Sequence, residues 1–209
     1  MERPYVFINC AVSLDGKIAS KEGKQIRISC DEDIARMYKL RNDSDAVLVG
    51  INTVLNDDPK LTVKEKHVKN PKNPIRIVLD THCKTPKDAL VVNNKAKTFV
   101  ITGEKCKKSY PDNVEIVRCK TKNNHIDLED FLEKIYEKGI RKLMVEGGSN
   151  VITSFITEKL VDDIYIYVGS ILIGGKNTPS LVSNLQSNIN LRLKDTRDIG
   201  SGLLLHYKI

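Results

Sequence analysis

No apolar stretch in the 209-residue chain reaches the roughly 18 residues that a bilayer crossing demands. Met1-Glu2-Arg3-Pro4 runs straight into a strand-like segment, without the layout of a signal peptide. Membrane insertion and secretion are disfavoured, and the expected compartment is the cytoplasm. The cysteines at 10, 30, 83, 106 and 119 are odd in number and include no Cys-x-x-Cys pair. That argues against a disulfide framework or a zinc knuckle, and reduced thiols are expected. The histidines at 67, 82, 125 and 206 contain no His-x-x-x-His pair, so no metal is expected. The Gly-x-Gly-x-x-Gly dinucleotide fingerprint is missing too. No repeat, low-complexity tract or linker divides the chain, and one domain over residues 1–209 is the economical reading.

Hydrophobic residues at 40% and charged residues at 29% fit a soluble globular protein. The net charge of +7 is unevenly spread: residues 60–122 hold 16 Lys+Arg against 6 Asp+Glu, and the remainder holds 18 against 21. A basic middle suits an anionic partner, either nucleic acid or a phosphorylated small molecule, unless it is a plain solvated lysine surface. It lacks the aromatic-interleaved basic pattern of RNA-binding modules.

Continuous β-prone apolar runs mark buried strands at 5–11, 46–50, 75–80, 98–102, 114–118, 142–146 and 164–168. Ser29-Cys-Asp-Glu32 has the form of a capping box and predicts a helix over 30–42. Asp127 caps a second helix, with Leu128, Phe131, Leu132 and Ile135 on one face and Gly139 at its end. A third follows Gly147-Gly148, with Val151, Ile152, Phe155 and Ile156 inward. Residues 191–195 and 203–209 read as an antiparallel hairpin. Together these predict an α/β fold: a mostly parallel central sheet flanked by helices, with an antiparallel C-terminal hairpin.

Ligands of such sheets bind beyond the carboxyl ends of the strands. Those ends carry Gly50-Ile-Asn-Thr53, Leu79-Asp-Thr-His82, Thr102-Gly103 and Glu146-Gly-Gly-Ser-Asn150. Gly147 and Gly148 let an anion approach the backbone at a helix N-terminus, or simply make a tight turn. Asp15 and Lys17 flank Gly16 after the first strand and are candidates for acid/base work, against the plainer reading of a charged surface turn. Glu146 ends an apolar strand, where an ionised group must be paired or face a ligand.

Ser13-Leu-Asp-Gly-Lys-Ile-Ala19, then Arg41, then Asp45 to Thr62 with its Asn52-Thr-Val-Leu-Asn-Asp-Asp-Pro59 core, then Val78-Leu-Asp-Thr81 and Val145-Glu-Gly-Gly-Ser149, follow one another in order. This succession resembles the riboflavin-pathway reductases, which act on a ribosylaminopyrimidine 5′-phosphate and share the dihydrofolate-reductase fold. The resemblance spans nearly the whole chain. It implies NADPH as cofactor, with NADH a weaker donor, a homodimer formed through the C-terminal region, and neither nucleic acid nor membrane as partner. Thr53 and Asp57 fall on cofactor-contacting positions. Leu79, Asp80, Thr81, His82 and Gly103 fall on the adenosine side, and Gly147, Gly148, Ser149 and Asn150 on the pyrophosphate turn. Gln25, Arg41, Leu61, Lys64 and Glu146 fall on the substrate side, with Arg41 expected on the sugar phosphate. Lys17, Asp15 and Glu146 are candidates to assist opening of the sugar ring. Arg27 stands near a position where the family often carries tryptophan, and this chain has no tryptophan.

The bifunctional bacterial relatives carry a zinc deaminase ahead of the reductase, and its His-x-Glu and Pro-Cys-x-x-Cys signature is missing here. A stand-alone reductase acting on the diamino pyrimidinone is therefore expected. Two rivals stay in view. A folate reductase would set a carboxylate of the first long helix, here Asp31, Glu32 or Asp33, against a pterin. A nucleic-acid binder would use the basic middle.

Overall fold

The computed structural model describes residues 2–103 and 105–209. In chain order the elements are β1 (Tyr5–Ser13), α1 (Asp31–Asn42), β2 (Ala46–Gly50), α2 (Ile51–Asp57), β3 (Ile75–Leu79), β4 (Thr98–Thr102), β5 (Val114–Arg118), β6 (Thr121–Lys122) and β7 (His125–Ile126). They continue with α3 (Leu128–Glu137), β8 (Lys142–Gly147), α4 (Ser149–Thr157), β9 (Asp163–Gly169), β10 (Arg192–Ile199) and β11 (Gly202–Lys208).

Nine strands form one sheet in the order β10-β11-β9-β1-β8-β2-β3-β4-β5. Every pairing from β9 to β5 is parallel. Only β11 runs antiparallel to β9, and β10 to β11. The expected sheet with its terminal hairpin is what is observed. The hairpin's first strand runs on to Ile199, beyond the expected 195, and a small β6–β7 hairpin is added.

Strands covered on both faces explain the unbroken apolar runs. Val6, Ile8, Leu48, Ile77 and Val145 face a cluster closed by Phe131, Leu132 and Ile135 of α3 and by Ile152, Phe155 and Ile156 of α4. The alternate residues Phe7, Val47, Val49, Val78 and Met144 face a second cluster, with Val54 of α2 inside it and Met37 and Leu40 of α1 packed against it. Each side chain of β2 and of β4 is buried.

Asp127 caps α3 as expected, accepting from the amides of Glu129 and Asp130. The cap of α1 needs correcting. Cys30, not Ser29, is the N-cap, and its thiol accepts from the Asp33 amide at 3.4 Å. Ser29 instead donates to the Asp33 carboxylate at 2.5 Å. Thr53 lies inside α2.

A second correction concerns the thiols. Cys83 and Cys106 are paired as a disulfide, with Cα atoms 5.5 Å apart. Each lies four residues beyond its strand, Cys83 after Leu79 of β3 and Cys106 after Thr102 of β4. The two strands are parallel neighbours, so their exit loops share one edge. Cys10, Cys30 and Cys119 are free. Among the described residues no helix is long and apolar enough to cross a membrane.

Candidate active site

The carboxyl ends of β1, β2, β3, β4, β8 and β9 lie along one edge, and β8 beside β2 brings two strand-to-helix turns together there. A Cβ on Gly50 would stand 2.7 Å from Val151 of α4, and one on Gly148 would stand 3.3 Å from the Thr53 hydroxyl of α2. The turn thus passes close to its neighbour with bare backbone. Gly147 has φ +127°, a conformation side chains rarely tolerate. Gly148 is the N-cap of α4 and has no side chain to satisfy the first amides. The Ser149 hydroxyl beside them is buried without a partner. Unsatisfied donors, a helix N-terminus and an open backbone suit a pyrophosphate. Asn150 is exposed, and its side-chain oxygen accepts from the Ser183 hydroxyl at 2.9 Å.

On the β3–β4 side, Asp80 is fully buried. One of its oxygens accepts from the Thr85 amide and hydroxyl at 2.6 and 2.7 Å, and the other is buried without a partner. The Thr81 carbonyl accepts from the Gly103 amide and the Thr102 hydroxyl. The Thr85 carbonyl accepts from Lys108 at 2.9 Å and from Tyr110 at 2.8 Å. Burial, reinforced by the nearby Asp80 charge, pushes the Tyr110 hydroxyl up to about 12, so it stays a donor at neutral pH. With the Cys83–Cys106 bond, these contacts knit the two exit loops into one wall. Leu79 and Thr81 are half-buried in it, and His82 is exposed.

The substrate-side residues separate. The Nε and Nη2 atoms of Arg41 donate to the two Glu146 oxygens at 2.6 and 2.7 Å, and Nη1 donates to the Thr62 carbonyl at 3.1 Å. Burial opposes the guanidinium's charge, but the adjoining Glu146 outweighs it and the Arg41 pKa is raised. Lys64 is exposed, with its ammonium 5.5 Å from the Tyr38 ring, against which His67 stacks. The Leu61 side chain is only 1% exposed and belongs to the second core cluster, so any ligand contact it makes falls to its backbone. The Gln25 amide donates to Asp57 at 3.1 Å, which ties the 20–29 loop to the end of α2.

Asp15 and Lys17 also part company. The Asp15 carboxylate accepts from the Ser13 hydroxyl at 2.7 Å and from the amides of Ile173 and Gly174 at 3.0 and 2.8 Å. The Ser13 bond and then those amides hold its pKa down to about 2. It is a loop anchor, already ionised, and not a proton donor near neutrality. Lys17 is half-buried, and its ammonium donates to Ser180 at 3.1 Å.

Two of the three carboxylates at the start of α1 have partners. Asp33 takes Arg36 and Ser29, and Asp31 takes Arg27. Glu32, the third carboxylate of that turn, is exposed. Tyr38, His67, Ser180 and Ser183 take part in these contacts; they come from three separate segments and form no local motif that marks them as site residues. Among the described residues no group of three or more His, Cys, Asp or Glu is placed to hold a metal ion.

Residues 4–205 match the model of the RibD C-terminal domain. The chain is 42% identical to a protein of Archaeoglobus fulgidus named 2,5-diamino-6-ribosylamino-4(3H)-pyrimidinone 5′-phosphate reductase, over 96% of this chain and 95% of that one. It is 36% identical to a protein of the same name from Methanothermobacter thermautotrophicus, over 99% of each. The Thermotoga maritima protein described as a diaminohydroxyphosphoribosylaminopyrimidine deaminase and 5-amino-6-(5-phosphoribosylamino)uracil reductase superposes with a TM-score of 0.85 at 28% identity. That alignment covers 99% of this chain but only 56% of the longer protein.

Proposed function

The chain belongs to the RibD C-terminal domain family, and from that premise we propose that it reduces the ribosyl group of 2,5-diamino-6-ribosylamino-4(3H)-pyrimidinone 5′-phosphate to a ribityl chain at the expense of NADPH. The observation that carries the reading is the glycine turn. Bare backbone at Gly147–Gly148, the orphaned Ser149 hydroxyl and the adjacent Thr53 make a seat for a dinucleotide pyrophosphate, in a chain whose relatives are named reductases.

When bound, the reduced nicotinamide supplies a hydride. The protein's own work is placement and charge. Gly147, Gly148 and Ser149 hold the pyrophosphate, with Thr53 beside them and Asn150 at the rim. The wall of Leu79, Asp80, Thr81, His82 and Gly103 receives the adenosine end. Asp57 acts through the Gln25 loop it secures. Glu146 and Lys64 face the sugar phosphate substrate, one as an acceptor and one as a cation. Opening of the ribosyl ring needs a proton at the ring oxygen. Lys17 is the group at the end of β1 able to carry one, since Asp15 is committed.

The dihydrofolate-reductase-like fold is shared with reducers of other substrates, so the assay sets the pyrimidine phosphate beside dihydrofolate and follows NADPH oxidation by absorbance. Turnover of dihydrofolate alone would defeat the proposal. The same reading makes the protein a cytoplasmic homodimer joined through β9 and the β10–β11 hairpin, where Leu193 and Leu203 are exposed. Sedimentation as a monomer at micromolar concentration would reject the dimer. The basic middle serves phosphorylated small molecules, and saturable NADPH binding with weak salt dependence separates this from nucleic-acid binding.

A further inference from the structure

The two exit loops that build the wall beside β3 and β4 are not held equally. The turn after β3 is fixed by its own bonds. Asp80 accepts from the Thr85 amide and hydroxyl, and the Cys83 amide donates to the Asp80 carbonyl at 3.0 Å. The stretch after β4 has no such frame. Among the described residues, 105–109 make no backbone hydrogen bond. What ties this stretch to the turn is the Cys83–Cys106 disulfide, with Lys108 and Tyr110 both donating to the Thr85 carbonyl. Two bonds that meet at one acceptor leave a pivot, so the disulfide fixes the position. Lys84 adjoins Cys83, and Lys105 and Lys107 flank Cys106. The two cysteine Cα atoms are 5.5 Å apart, so the bond draws like charges together. Lys84, Lys105 and Lys107 are exposed and form no ion pair among the described residues. Either a covalent bond or a bound anion can hold such a wall closed.

We propose that the Cys83–Cys106 bond is a reversible redox latch on this wall, opened by a dithiol reductant and coupled in both directions to occupancy by the cofactor's adenosine end. This rests on the reductase reading above, which puts that end of the cofactor here. In a reducing cytoplasm a disulfide is more often a transient redox device than a permanent staple. Cys83 is 9% exposed and Cys106 is half-exposed, so the reductant meets the Cys106 sulfur first. A thiolate of the dithiol attacks that sulfur, the S–S bond breaks, and Cys83 leaves as a thiolate that takes up a proton. The second thiol of the reductant then attacks the mixed disulfide and releases Cys106 as a thiol. Two electrons have passed to the protein, and the reductant ends as a disulfide. Once freed, the 105–109 stretch turns about the Thr85 carbonyl and must be ordered again when the cofactor binds. By linkage, the factor by which reduction weakens cofactor binding is the factor by which bound cofactor disfavours reduction.

The experiment uses the full chain in three forms: oxidised, reduced with dithiothreitol, and as Cys106→Ser. Calorimetry follows binding of adenosine 2′,5′-bisphosphate, which neither gives nor takes electrons. The KM for the pyrimidine phosphate is measured at saturating NADPH. Reduction is expected to raise the Kd of the bisphosphate roughly tenfold, the size of effect that reordering one or two loop side chains produces. The pyrimidine KM should stay within about twofold, because the substrate lies on the other side of the cleft. Cys106→Ser should match the reduced protein and ignore added reductant. In buffers of dithiothreitol and its disulfide, saturating bisphosphate should move half-reduction toward the reducing side by the same factor of roughly ten.

Equal bisphosphate affinity in the two redox states would overturn the latch, and so would an oxidised protein that does not bind the bisphosphate at all. A reduced protein that has lost its circular dichroism signal would make the bond a structural staple and overturn it as well. A matching rise in the pyrimidine KM would do the same, since the whole cleft and not this wall would have loosened. The reductase reading fails separately. If the protein does not turn over the pyrimidine but its bisphosphate affinity still follows the redox state, that reading falls and the latch stands. If it turns over the pyrimidine and its bisphosphate affinity ignores the redox state, the latch falls and the reading stands.

Discussion

A single methyl group at Gly148 tests the cofactor seat with little disturbance of the fold. The backbone there has φ −72° and ψ −165°, which any residue adopts. The added Cβ of Gly148→Ala would lie 3.3 Å from the Thr53 hydroxyl, so that side chain must yield by a few tenths of an ångström. Such crowding at a half-buried turn costs the fold under about 1.5 kcal/mol. The methyl stands over the amides that the pyrophosphate would approach. Losing one hydrogen bond to a charged group costs roughly 1.5–3 kcal/mol, which is about 10- to 150-fold in Kd. Gly147→Ala is the control and should behave in the opposite way. Its φ of +127° strains any side chain, although the Cβ itself would make an ordinary 3.5 Å contact with Ile152. Its cost falls on folding, about 1–3 kcal/mol. NADPH fluorescence titration and thermal unfolding, run on both variants, read the two effects separately. A folded Gly148→Ala protein that binds NADPH like the wild type would remove the turn from the site. A Gly147→Ala protein as stable as the wild type would show the backbone argument to be wrong.

The wall beside β3 should set cofactor choice: wild type is expected to prefer NADPH to NADH, and His82→Ala/Lys84→Ala should shrink that preference by removing the imidazole and the ammonium offered to a 2′-phosphate. Equal kcat/KM for the two cofactors in the wild type would count against it. The Cys83–Cys106 bond closes a segment with a sequence separation of 23. Chain entropy for a loop of that size predicts a loss of about 3 kcal/mol of unfolding free energy on reduction or in Cys83→Ser/Cys106→Ser; coincident urea curves with and without reductant would refute it. Asp15 shapes the acid limb of stability. Its folded-state pKa of about 2 lies below the unfolded value, near about 3.9, so its contribution is present above about pH 4 and is lost as the pH falls through the folded value. Asp15→Asn should flatten that limb and free the Ile173–Gly174 loop to proteolysis, and an unchanged acid titration would show that the anchor contributes nothing.

What the sequence made legible was whatever burial writes into consecutive residues. β2 and β4 are covered on both faces, so they appear as unbroken apolar runs, and α3 announces itself through Asp127 and a periodic inner face. β10 is only half legible by the same logic, which predicts a strand over 191–195 and not its run to Ile199. Six of its eight residues are exposed, so Arg192 to Ile199 has little apolar pattern to read and is held by pairing with β11 alone. Leu61 misleads for the opposite reason. It belongs to a motif of the site, but its φ of +50° turns the chain so that its side chain enters the core while the neighbouring polar residues stay outside.

The functional residues show the same division. Glycine at 147 and 148 is legible because a backbone requirement is local: the need for positive φ and for bare amides is met within one turn. Pairings are not local. Arg41 and Glu146 each carry a sign and a position that suit a substrate, and 105 residues of chain separate them. Only the crossing of α1 over the end of β8 places them at 2.6 Å, and at that distance each answers the other before either answers a ligand. Asp15 repeats the lesson, since the three groups that claim its charge include two amides more than 150 positions away. A charged residue in a cleft is available for chemistry only to the extent that the fold has left its charge unanswered. By that measure Lys64, exposed and without an ion pair among the described residues, keeps its charge available, whereas Arg41 and Asp15 spend theirs on the fold.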